Sequence, residues 1–138
     1  LRGKKSTKIS AFRMGAKIDA GPIYLKKKLN LNGSAEEIFI RSTKITFKMI
    51  IEINKNRLSP KTQKKSKIFF RRLTKKDNNL VLDKIKNLKE LYDRIRMVDA
   101  PGYPDAYIES KRFIFNFTKA KKVGKNLYSS VRIIVKKN

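Results

Sequence analysis

A short stretch near the start of the chain constrains its fold more than any other. It contains two apolar runs, residues 11–14 and 23–25, which we predict to be strands. Gly15 and Gly21 supply permissive backbone between the runs, and a single acid, Asp19, lies inside the turn. The stretch reads Ser10-Ala-Phe-Arg-Met-Gly-Ala-Lys-Ile-Asp-Ala-Gly-Pro-Ile-Tyr24. It predicts two strands joined by a turn that holds one carboxylate.

The spacing around Asp19 has two interpretations. Asp-x-Gly is common turn chemistry, in which the carboxylate bonds to nearby backbone N–H groups and has no other role. The wider phrase Phe12-x-Met14-x-x-x-x-Asp19-Ala20-Gly21-Pro22-Ile23 supports a functional interpretation. It resembles the m-x-x-x-x-D-x-G-x-I stretch of the formyltransferases that use 10-formyltetrahydrofolate. That family includes methionyl-tRNA formyltransferase and the sugar N-formyltransferases.

The resemblance implies roles for four residues. In the family, the aspartate of this phrase orients a histidine, which acts with an asparagine to promote attack of an amine on the formyl group. Asp19 matches that catalytic acid. Gly15, Ala16 and Lys17 match the loop that lies against the pterin of the formyl donor, 10-formyltetrahydrofolate. A carboxylate fixed by a turn can hold an imidazole in one tautomer and stabilise its protonated form.

The composition excludes several kinds of site. The chain has 138 residues with no histidine and no cysteine, so it offers no disulfide, no thiolate metal ligand and no cysteine nucleophile. A zinc site would need carboxylates alone, and we predict no metal. The histidine and asparagine of the family lie upstream of the point where this sequence begins. We therefore expect the C-terminal part of a larger enzyme, or a decayed copy of one, inactive as this chain alone.

A long amphipathic helix is predicted after the hairpin. Ser34-Ala-Glu-Glu37 has the form of a capping box, with Ser34 at the N-cap. Helical spacing of apolar residues then predicts a helix over residues 35–55. The expected core stripe comprises Ile38, Ser42, Ile45, Met49 and Ile53, backed by Phe39, Thr46 and Ile50.

The chain beyond this helix becomes polar and basic, and Pro60 forbids helix continuation. We predict a linker over residues 56–67. The resemblance implies that it joins a piece of a Rossmann-like catalytic domain (1–55) to a small C-terminal domain (68–138). In the second domain we predict a strand over residues 67–74 and a turn at 76–79. A helix should follow, capped by Asn87 and carrying the stripe Leu88, Leu91, Tyr92, Ile95 and Val98.

A second phrase strengthens the resemblance: Asp93-Arg-Ile-Arg-Met-Val-Asp-Ala-Pro-Gly-Tyr-Pro-Asp-Ala-Tyr107. It is similar to the IRA…P-x-P-g-A signature of the formyltransferase C-terminal domain, a small OB-like β-barrel. Tyr103 in its Pro-Gly-Tyr-Pro corner either packs against the core or stacks on a base or sugar. Arg94 and Arg96 either contact an anionic substrate or lie on the helix surface. The alternation of Phe113, Phe115 and Phe117 predicts a hairpin with one buried face.

The charge balance raises a rival function. With 36 Lys and Arg against 11 Asp and Glu, the net charge is +25, which attracts polyanions. A basic nucleic-acid-binding module without catalysis is therefore the alternative. Against it, the cations are scattered over every segment, and Lys, Ile and Asn share A/T-rich codons, which favours compositional drift. Non-specific nucleic-acid binding is expected either way.

Together these patterns predict a mixed α+β chain, and the resemblance implies a formyltransferase function. The expected acceptor is an amine, either of an amino sugar nucleotide or of methionyl-tRNA. The sequences of the motifs favour the sugar-type branch of the family. No segment is apolar enough to span a membrane and no signal peptide is visible, so we expect a cytoplasmic protein.

Overall fold

The computed structural model describes residues 3–63 and 71–136. Two compact units divide the chain, and each is treated by itself. One comprises Lys4–Asn32 and Glu37–Arg71, and the other comprises Leu1–Gly3, Gly33–Glu36 and Arg72–Asn138.

The first unit contains the predicted hairpin. Strand β1 (Ser6–Phe12) pairs antiparallel with β2 (Ile23–Asn30), with an irregularity in register after Ala11. Both strands are confirmed, but β1 begins earlier and ends before Met14. The N–H of Arg13 donates to the carbonyl of Pro22 at 2.9 Å, which closes the loop between the strands.

Helix α1 (Ala35–Asn56) matches the predicted helix to within one residue and begins directly after Ser34. The predicted core stripe is shielded from solvent along its length, most completely at Ile38 and Met49. The prediction that a second row backs this stripe in the core is wrong, because Phe39 and Ile50 are 43% and 60% exposed. Helical periodicity shows which face turns inward, but it cannot show how wide a strip of that face is covered.

Side chains of α1 also bond to β2 and the residues after it. Arg41 donates to the carbonyls of Asn30 and Asn32, and Lys27 forms an ion pair with Glu52 at 2.7 Å. Within the described residues, neither helix of the chain is long and apolar enough to cross a membrane.

The second unit is a helix packed on a three-stranded antiparallel sheet. Strands β3 (Ala106–Glu109), β4 (Phe113–Val123) and β5 (Asn126–Val135) pair in sequence order. Helix α2 (Leu88–Arg96) contributes Ile95 to a core cluster with Leu80 and Ala106. The α+β class is confirmed by the two sheets and two helices. The barrel and the Rossmann-like piece stay predictions.

The start of the second domain differs from the prediction. Of the strand predicted over residues 67–74, the first four residues lie outside the described part, and residues 71–74 form no strand. The turn predicted after it is a short 3₁₀ helix (Lys75–Asn78), where the carboxylate of Asp77 accepts from the N–H and hydroxyl of Thr74. Strand propensity alone did not decide the conformation of residues 71–74.

Asn87 caps α2 as predicted, because its side chain accepts from the N–H of Glu90 at 3.0 Å.

The phenylalanine face of β4 is only partly covered. Phe117 packs against the core cluster, whereas Phe113 is 39% exposed. Tyr103 is 53% exposed, so it is not buried in the core.

Candidate active site

The predicted site residues lie in the β1–β2 loop, residues 13–22. Gly15, Ala16, Lys17 and Asp19 are all exposed there. The structure thus places the predicted acid and the predicted donor-binding residues in one loop. Their individual roles stay predictions.

Asp19 adopts an uncommon backbone conformation for a residue with a side chain. Its φ is +54°, in the left-handed region, which Asp tolerates better than most residues. Such a conformation persists only where the surroundings impose it. Among the described residues, no donor binds its carboxylate at hydrogen-bonding distance, so the turn fixes the backbone of Asp19 while its carboxylate faces solvent.

Gly21 is required by space. A Cβ built at this buried position would lie 1.7 Å from the carbonyl oxygen of Arg13 across the loop. Any side chain here would push the two arms of the loop apart. The sequence indicates Gly21 as a turn residue because of the conformational freedom of glycine. The structure shows a different reason for glycine at this position, which is the close approach of two backbone segments.

A segment distant in sequence also holds the loop. Ile23 and Lys61 exchange two backbone hydrogen bonds, of 2.7 and 2.8 Å, and form an isolated antiparallel bridge. Two residues later, the carboxamide of Gln63 donates to the carbonyls of Asp19 and Gly21, at 2.6 and 2.9 Å. Sequence analysis missed this contact because the surrounding basic, proline-containing run is typical of a solvated loop.

Large apolar side chains border the predicted donor-binding residues. Met14 and Ile18, on either side of residues 15–17, are 89% and 93% exposed. Both side chains therefore leave apolar surface in contact with solvent, on a loop that backbone hydrogen bonds fix at its base.

The two arginines of the second phrase bind within the chain. Arg94 donates to Glu90 at 2.9 Å, and Arg96 donates to the carboxylate of Asp93 at 2.7 Å and to the carbonyl of Gly33 at 2.6 Å. Burial acts to raise the pKa of Asp93, but hydrogen bonds from Lys89 and Arg96 outweigh it and lower the pKa. The pKa of Glu90 is also lowered, first by its hydrogen bond with Arg94. The bonds of Arg94 to Glu90 and of Arg96 to Asp93 stabilise α2. The interpretation that Arg96 only lies on the helix surface is wrong, because its guanidinium also bonds to Gly33.

An apolar cavity of about 580 Å³ opens beside α2. It is lined by Leu88, Leu91, Ile95, Phe117 and Leu127 among others. None of the predicted site residues lines it. Within residues 3–63 and 71–136, no three His, Cys, Asp or Glu residues come together as metal ligands.

Comparison with known proteins places the chain in a class. The family model of the methionyl-tRNA formyltransferase C-terminal domain matches residues 64–134, which is more than half of the chain. The chain belongs to this family. A search of the curated proteins found no match.

The solved structures give a particular relative. The chain is similar to methionyl-tRNA formyltransferase from Clostridium thermocellum, with 38% sequence identity and a TM-score of 0.91. The match covers 98% of this chain and 59% of that enzyme. Both matches are to methionyl-tRNA formyltransferases, so the leaning toward the sugar-type branch receives no support.

Proposed function

We propose that this chain forms the C-terminal part of a methionyl-tRNA formyltransferase. Such an enzyme transfers a formyl group from 10-formyltetrahydrofolate to the amino group of methionyl-tRNA, and we place it in the cytoplasm. The observation that carries the proposal is the match along nearly the whole chain to an enzyme of that name. Because the chain spans 59% of that enzyme, the remaining part would supply the histidine and asparagine that the resemblance implies.

Asp19 would act as the acid that orients the histidine. A carboxylate that accepts the N–H of an imidazole fixes its tautomer and favours its protonated form, which assists proton transfer from the attacking amine. Two features support this role. Gln63 holds the carbonyls of Asp19 and Gly21, and the exposed Asp19 side chain leaves its carboxylate accessible to a group from elsewhere in the enzyme.

The loop residues Gly15, Ala16 and Lys17 would contact the formyl donor. The donor supplies the one-carbon group and presents a flat pterin ring. The exposed side chains of Met14 and Ile18 offer apolar contacts at both ends of this loop segment. The absence of a Cβ at Gly15 allows a ring to approach the backbone closely, and apart from its chain neighbours no described residue has an atom within 4 Å of the place that a Cβ would occupy.

The charge of the chain suits a tRNA substrate. A net charge of +25 would attract the acceptor to the enzyme and accelerate its association at low salt. The same charge supports the alternative function, a nucleic-acid-binding module without catalysis. The two differ in what they require of Asp19, because only catalysis depends on its carboxylate.

The decisive experiment uses the full-length native protein and the variant Asp19→Asn. We expect turnover of methionyl-tRNA to fall by about 10³- to 10⁴-fold, as for other acids that orient a catalytic histidine, with the Kd for tRNA unchanged. Asp83→Asn, a change of the same chemistry at an exposed acid in the second unit, should leave both values unchanged. Normal turnover by Asp19→Asn would refute the catalytic role.

A second measurement examines the chain by itself. The isolated 138-residue chain should show no formyl transfer above background, because it contains no histidine. The intact mass of the protein from its source should exceed 16.1 kDa by about the size of a domain. An equal mass would instead favour the nucleic-acid-binding alternative.

A further inference from the structure

Gln63 lies outside the β1–β2 loop, and its side chain bonds to the backbone of Asp19. Its Nε2 group donates to the carbonyl oxygen of Asp19 at 2.6 Å and to that of Gly21 at 2.9 Å. These carbonyls belong to the residues on either side of Ala20, so one carboxamide bonds to the Asp19–Ala20 and Gly21–Pro22 peptide units. The Gly21 bond is partly buried, which shields it from competition by water.

The position of Gln63 is itself fixed. Lys61, two residues earlier, is bonded to Ile23 through both its N–H and its carbonyl. The bridge at Lys61 therefore anchors the backbone two residues before Gln63. The carboxamide is thus held at a defined distance from the loop.

The conformation of Asp19 needs such a restraint. A residue other than glycine is uncommon at φ +54°, and contacts from outside the loop help to hold it in that conformation. Rotation of the Asp19 backbone would move the carboxylate by ångströms, because the side chain is carried directly on the Cα. Two carbonyl bonds from one planar group oppose that rotation.

We propose that Gln63 is a positioning residue for formyl transfer: it holds the backbone on both sides of Ala20 so that the Asp19 carboxylate is presented in one orientation. The inference rests on the proposed catalytic role of Asp19. It adds a residue that contacts neither substrate and acts only through the acid.

The test compares steady-state kinetics of variants in the full-length protein. Gln63→Met keeps the length of the side chain and removes both donors. Gln63→Asn keeps the carboxamide on a stem one methylene shorter, which can reach one carbonyl but not both. Thr62→Val, at the exposed neighbouring residue, is the control, and Asp19→Asn is measured in parallel.

We expect Gln63→Met to lower kcat by about ten- to a hundredfold, with the KM for both substrates within twofold of wild type, since displacement of a catalytic group by about 1 Å has effects of this size. The kcat of Gln63→Asn should lie between the values for Gln63→Met and wild type. Hydrogen exchange at the Arg13 amide, which bonds to Pro22, should stay slow in both variants, showing that the hairpin remains closed.

Three results would overturn the inference. If Gln63→Met keeps kcat while Asp19→Asn loses it, Asp19 is catalytic and Gln63 does not position it. If kcat falls and the Arg13 amide also loses its protection from hydrogen exchange, Gln63 only holds the hairpin together. If Asp19→Asn itself retains turnover, the proposed role of Asp19 fails first, and the positioning role fails with it.

Discussion

The β1–β2 loop and the core around α2 are ordered by different forces. In the loop, residues 13–20 are all exposed, and the fixed elements are backbone carbonyls and N–H groups bonded across the loop and to Gln63. Around α2, the fixed elements are side chains: Ile95, Leu80 and Ala106 are 2%, 3% and 0% exposed. Hydrogen bonds are directional and short, whereas burial is roughly proportional to area and tolerates small shifts.

This difference separates the effects that substitutions should have. A change in the loop should alter where Asp19 points, and therefore activity, with a small effect on the free energy of unfolding. A change in the core of the second unit should alter the free energy of unfolding with a small effect on turnover by the folded enzyme. Each prediction below tests one side of this separation.

The largest stability effect is expected from Ile95→Ala. Truncation of this side chain, which is 2% exposed, removes apolar contacts and leaves a cavity, at a cost of about 2 to 5 kcal/mol. Ile133→Ala makes the same change at a side chain that is 60% exposed, and it should cost under about 1 kcal/mol. Hydrogen exchange of the β4 amides in the full-length protein measures the free energy of opening for both. Equal losses would contradict the burial argument.

The sequence predicted this core in part. Ile95 and Phe117 were placed correctly by helical spacing and by strand alternation, and both belong to or pack against the cluster. Alternation identifies a face but not its covered area, so the exposure of Phe113 could not be foreseen. For Tyr103 the sequence leaves two interpretations open for a similar reason, because a Pro-Gly turn fixes the backbone and leaves the direction of the side chain to tertiary contacts.

The turn at the candidate site was predicted from the local sequence, whereas the roles of its residues stay predictions. The turn residues located Asp19 and Gly21 without any structure. Gln63 could not be found in this way, because its partner Asp19 is 44 residues away and nothing in the intervening sequence encodes their pairing. Long-range hydrogen bonds depend on the assembled fold, and they carry no periodic signal in a single sequence.

Gly21→Ala should give the largest loss of activity from a change at a residue with no chemistry of its own. The added Cβ would lie 1.7 Å from the Arg13 carbonyl oxygen, so the loop must open and displace Asp19. We expect kcat to fall by about a hundredfold, equivalent to about 2.7 kcal/mol of barrier. Ala20→Ser adds one atom at the exposed neighbouring residue and is the control. The comparison between the two regions breaks down if Gly21→Ala unfolds the protein rather than slowing it.

The smallest effect is expected from pH, and it belongs to the side-chain-ordered region. The folded-state pKa of Asp93 is lowered relative to its ordinary value of 3.8, because hydrogen bonds from Lys89 and Arg96 outweigh the effect of burial. A lowered pKa contributes stability that is fully present above pH 3.8 and is lost as the pH falls through the folded-state value.

Asp93→Asn should remove this acid-dependent loss while lowering stability at neutral pH, because the Arg96 guanidinium, whose side chain is 13% exposed, loses its counter-charge. Hydrogen exchange of the α2 amides between pH 2.5 and 6, with the known pH dependence of the chemical exchange rate divided out, measures both effects. If the pH dependence of opening were the same in Asp93→Asn as in wild type, the acid sensitivity of α2 would have to come from other carboxylates, of which Glu90, with its own lowered pKa, is the first to examine.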